Sequence, residues 1–141
     1  MRLFHRRTDP LGEGVWRRAH DRFRRAVDRY HQVIEPVPAG PVRDRLERTG
    51  ASLAASLGVV HERCARAQAQ APSSGLEVPI GDGHGPELHR RLTRAAGLAA
   101  TAAEAATMAR VALRSGRPEE AEARVEAAER AAASVRELLA D

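Results

Sequence analysis

At 141 residues the chain is long enough to bury a core of its own, and with 30% charged and 43% apolar residues it is not a disordered polyelectrolyte. Its 23 basic residues are all arginine and stand against 19 acids, for a net charge of +4; its one cysteine, Cys64, excludes an internal disulfide. No stretch reads as a membrane span, because the least charged run, 95–113, contains Glu104 and Arg110 and is mostly alanine.

The positive charge is concentrated at one end. Residues 1–48 hold 12 arginines against 7 acids, whereas residues 86–141 hold 9 of each. Arginine without lysine, beside abundant alanine and glycine, fits a GC-rich bacterial coding sequence. A guanidinium surface for phosphate or carboxylate is the functional alternative. Residues 1–9 read as a disordered basic leader, with Leu3 and Phe4 among Arg2, Arg6 and Arg7. No apolar stretch follows to make a signal peptide, and a lone cysteine suits a reducing compartment, so the expected location is the cytoplasm.

A first helix is expected over 10–35, with Asp9 as its N-cap and Pro10 at its first position. Trp16, Ala19, Phe23, Ala26, Tyr30 and Val33 make an apolar seam, broadened by Val27 and Ile34. Arg17, Arg18, Arg22, Arg24, Arg25 and Arg29 are the candidate anion contacts, in a field diluted by Asp21 and Asp28. The prolines between 36 and 41 end the helix.

A second helix is expected over 41–71, with its seam at Leu46, Gly50, Leu53, Leu57, Val60, Cys64, Ala67 and Ala71. Each interior glycine, Gly50 and Gly58, costs about 1 kcal/mol relative to alanine, which implies close approach by a neighbour or a kink. His61 and Cys64 are three residues apart and could share a metal. Folding this helix back on the first places His20 about 7.5 Å along the axis from His61, too far to complete a ligand set. No metal or other cofactor is expected.

Residues 72–85 form a connection long enough to be either functional or loose. Leu76, Val78 and Ile80 alternate, as in a strip laid on the bundle; Asp82 and His84 among glycines are weak candidates for a small anion or metal site. The glycines do not make a phosphate loop, since no strand precedes them and no Lys or Ser/Thr follows.

A third helix, 86–115, carries the seam Leu88, Leu92, Ala95, Ala99, Ala102, Ala106, Ala109 and Leu113, with Gly116 as its stop. Leu98, Met108 and Val111 lie off that seam. A helix apolar on so many sides is either covered or faces a partner, so these three are the candidate partner contacts. A fourth helix, 118–140, opens with Glu119, Glu120 and Glu122 where the helix dipole favours acids, and buries Ala121, Val125, Ala128, Ala132, Val135 and Leu139.

The spacing and the short turns at 36–40 and 116–117 predict an all-α fold: an antiparallel up-down four-helix bundle with alanine-rich packing and one long 72–85 loop, forming one domain over 10–141. No nucleophile–base pair and no Glu-x-x-His helix is present. The expected function is non-enzymatic: a protein–protein interaction or regulatory module whose partner is another protein or a second copy. The alternative is binding of nucleic acid or an anionic membrane surface through the first helix and leader. An enzyme using Asp82 and His84 is the third reading.

Overall fold

The computed structural model describes residues 9–140, which form four α-helices and no strand: α1 (Val15–Ile34), α2 (Pro41–Gln70), α3 (Gly85–Arg114) and α4 (Pro118–Leu139). The leader expected over 1–9 lies outside the described residues except for Asp9. Among the described residues no helix is long and apolar enough to cross a membrane.

Three helices keep their expected bounds to within a residue, but α1 begins at Val15 and not at Pro10. Asp9 is no N-cap for this helix. Its carboxylate accepts the Leu11 N–H at 3.1 Å and pairs with the Arg17 guanidinium at 2.6 Å. The cap comes from far along the chain: the Val15 N–H donates to Ser73 Oγ at 3.0 Å, and the Ser73 N–H donates to Gln68 Oε1 at 3.0 Å. Gly14 is required here, because a Cβ would collide with the Ser73 backbone. Trp16 completes the clasp, its fully buried ring donating from Nε1 to the Ala71 carbonyl at 3.1 Å.

The buried line of α1 is Trp16, Ala19, His20, Phe23, Val27, Tyr30 and Ile34; Ala26 and Val33 are only half-buried. The seam thus keeps its alternating four- and three-residue spacing but is turned from the expected Ala26–Val33 flank to the His20–Val27–Ile34 flank. In α2, Leu57 is half-buried while Thr49 and Ser56 are buried beside Leu53 and Val60. The two interior glycines differ. A Cβ on Gly50 would sit 2.9 Å from His31 Nε2 and 3.2 Å from the Tyr30 ring, whereas one on Gly58 would meet nothing within 4 Å. Close approach therefore accounts for Gly50 alone.

Alanine dominates the interior of α3, where Ala95, Ala96, Ala99, Ala102, Ala103, Ala106, Ala109 and Ala112 are all buried. Small side chains let helices approach closely, and α3 packs against α4 most extensively and then against α1. The turn into α4 is a Schellman motif: Gly116, at φ +72°, donates to Leu113 O and Arg117 donates to Ala112 O. Each of the eight expected seam residues of α3 except Leu88 and Leu113, and all six of α4, is buried.

The neighbours are not those that chain order suggests. α2 touches α1 and α4, α3 touches α1 and α4, α2 and α3 barely meet, and α1 and α4 make no contact. α1 and α3 pair like ends: Trp16 stands edge-on to His89 near both starts, and Arg110 reaches Val33 near both finishes. α2 and α4 do the same through Arg45 with Glu122 and Glu129, and Arg63 with the Leu139 carbonyl. The 72–85 segment joins two helices on opposite corners, which explains its length.

Candidate interaction surface

The candidate partner contacts do not form one group. Met108 and Val111 are 41% and 40% exposed and stand one turn apart on the outer side of α3. Leu98 is half-buried and packs on the core, so it does not belong with them. The expected covering strip is also corrected. Leu76 and Ile80 are 76% and 69% exposed, and only Val78 packs on the core. The loop therefore leaves the Met108–Val111 face open. Its constrained end is Ser73, tied to α1; the alternating pattern of the later residues was a misleading signal.

Several of the arginines are held by acids or by helix ends. On α1, Arg17 donates to Asp9 and to the Gly12 carbonyl, Arg24 pairs with Asp28 at 3.7 Å, and Arg18 donates to the Gly75 carbonyl. Arg22, Arg25 and Arg29 are exposed and make no hydrogen bond or ion pair among the described residues. With Arg18 they fall at spacings of four, three and four, on one face of the helix. Elsewhere arginine caps the C-terminal carbonyls of other helices. Arg43 Nη1 donates to Ile34, Glu35 and Val37, Arg110 to Val33, Arg63 to Leu139 and Arg91 to Ala140. One planar guanidinium can bridge several carbonyls, which a lysine ammonium does less well.

Asp82 and His84 form a local turn. The His84 N–H and Nδ1 both lie within 3.2 Å of Asp82 Oδ1, and both side chains are largely exposed. The His84 amide, more than its ring, holds the Asp82 carboxyl below the usual range. They edge a groove of about 800 Å³ that Trp16, Arg63, Arg66 and Arg91 also line, with Glu87 opposing their charge.

His20 and His61 do meet, edge to face with ring centroids 5.4 Å apart, contrary to the spacing expected along the axis. Side chains lean toward the start of their own helix. α1 and α2 pair unlike ends, as Tyr30 with Leu46 and Trp16 with Ala71 show, so the two leans run in opposite directions and bring distant levels together. The His20 ring also bonds Asp21 at 2.9 Å. Edge-to-face rings do not aim two lone pairs at one ion, and among the described residues no group of three or more His, Cys, Asp or Glu could hold a metal. Cys64 is buried, and burial, aided by the Asp21 charge, pushes its thiol up to about 12. A thiol so raised is a poor nucleophile at neutral pH.

No protein-family model matches the chain, nor does any curated protein or solved structure.

Proposed function

We propose that the chain is an antiparallel up-down four-helix bundle of the cytoplasm, working without catalysis as a protein–protein interaction or regulatory module. The observation that carries this reading is the pair Met108 and Val111, about 40% exposed on a helix whose other faces are packed on α1 and α4. Large apolar side chains adjacent on a rigid helix, with no segment of the described chain covering them, suit docking of a second protein surface. Like-end contacts of α1 with α3 and of α2 with α4, beside unlike-end contacts of α1 with α2, support the up-down course.

The partner is either a second copy or another protein, and sedimentation at micromolar concentration separates the two: a dimer supports the first, a monomer removes it. Met108→Glu with Val111→Glu should leave the circular-dichroism melt close to the parent, because both sites are open to water, and should abolish any association. Unfolding by this double change would place both residues in the core and overturn the reading.

A second reading rests on the Arg18, Arg22, Arg25 and Arg29 face of α1, three of whose guanidinium groups have no hydrogen-bond or ion-pair partner among the described residues. Contact with nucleic acid or an anionic membrane surface through this face would weaken steeply with salt. A fluorescence titration at low salt with an oligonucleotide, and with anionic vesicles, tests it. Absence of binding to both discards it.

A further inference from the structure

At the opposite end of the bundle from Ser73, the proline-rich turn after α1 and the end of α3 enclose a cavity of ≈ 480 Å³. Pro36, Pro38, Pro41, Val42 and Leu113 give it an apolar wall, and Arg110 and Arg114 are its only charged lining residues. Arg110 is half-buried. Its Nη1 donates to the Val33 carbonyl at 2.9 Å, its Nε is shut off from solvent without a partner, and no carboxylate pairs with it among the described residues. A guanidinium desolvated on one side and answered only by a neutral carbonyl gains more than usual from a counter-charge. α2 begins in the same wall; Pro41 has no N–H, so the Val42 amide is the first on this helix that favours an anion, with Asp44 in the same turn partly offsetting it. At the end of α3 the carbonyls of Val111, Leu113 and Ala112 accept from Ser115, Gly116 and Arg117, but the negative end of this helix still opposes an anion, so the two guanidinium groups must outweigh it.

We propose that this cavity binds a small carboxylate with a short aliphatic body, the carboxylate against the outer nitrogens of Arg110 and against Arg114, the body against the prolines. A volume in the lower part of the range of about 300–1,000 Å³ suits such a ligand. A peptide main chain fits less well, because three prolines supply no N–H to pair with it. The site stands apart from the Met108–Val111 face and does not depend on it.

The test is an amide NMR titration of the full chain with hexanoate and, in parallel, with uncharged hexanamide. Hexanoate should shift amides at 39–43 and 110–114 and bind about tenfold more tightly than hexanamide. Equal affinities, or shifts confined to other parts of the bundle, overturn the proposal. Arg114→Gln, a change at an exposed side chain with no bonded partner among the described residues, should reduce the preference for hexanoate. Arg110→Gln should remove most of it in a chain whose circular dichroism stays helical. A preference that survives both changes also overturns it. A capped peptide ending in leucine with a free carboxylate, if it outcompetes hexanoate, overturns the small-ligand assignment.

Discussion

Ser73 shows how much one side chain can organise. It accepts the first amide of α1 and sits buried between that helix and the end of α2. Ser73→Ala should destabilise the fold by about 1 kcal/mol, the usual cost of losing an N-cap, seen as a lower urea midpoint at unchanged slope. An unchanged midpoint would mean that water replaces the cap. The interior glycines of α2 give a contrast in sign. Gly58→Ala adds a methyl to open space and should stabilise by up to about 1 kcal/mol. Gly50→Ala should return less, or destabilise, because its Cβ presses on the Tyr30 ring, which is held by a 2.7 Å bond to the Leu46 carbonyl. Thermal melts of the two variants decide it. Neither difference was visible in the residue letters, since both glycines sit in the same kind of helical sequence.

The helices owe their existence to pattern and their alignment to charge. Arg45 joins α2 to α4 by gripping Glu129 through two nitrogens, at 2.9 and 2.8 Å, and by reaching Glu122. This grip holds the Glu129 carboxyl below its ordinary range. A carboxyl depressed in the folded state adds stability above its unfolded pKa and loses it as pH falls through the folded value. The gap in stability between the parent chain and Arg45→Met should therefore be present at neutral pH. It should close as the pH drops from about 5 towards 2. Glu129 is 38% exposed, so the gap should not exceed about 1 kcal/mol in a denaturation series. A gap that persists at the acid end would assign the effect of Arg45 to packing of its stem. The acid-rich start and alanine seam of α4 were legible in the sequence, because helical periodicity is local. The pairing of Arg45 with acids on α4 was not, because it depends on which helices are neighbours.

Across the whole bundle, Cys64 reports on cooperativity. It is fully buried in the core, with its thiol pushed up to about 12. A thiol reagent at neutral pH should label it only as fast as the fold opens, and Ser73→Ala should raise the labelling rate in step with its loss of stability. Rapid labelling without a change in helicity would locate a local opening between α1 and α2. The four helices, three of their starts and most of the alanine seam followed from the amino-acid order alone, because hydrophobic spacing, proline and glycine act within a few residues. The start of α1, the meeting of His20 with His61, the exposed arginine face of α1 and the apolar cavity beside Arg110 came from the packed structure. Each depends on α1 lying beside α2 and α3 while α2 and α3 stand on opposite corners. That order is set by how faces bury against one another across the bundle, and helical periodicity says which face is buried but not which neighbour covers it.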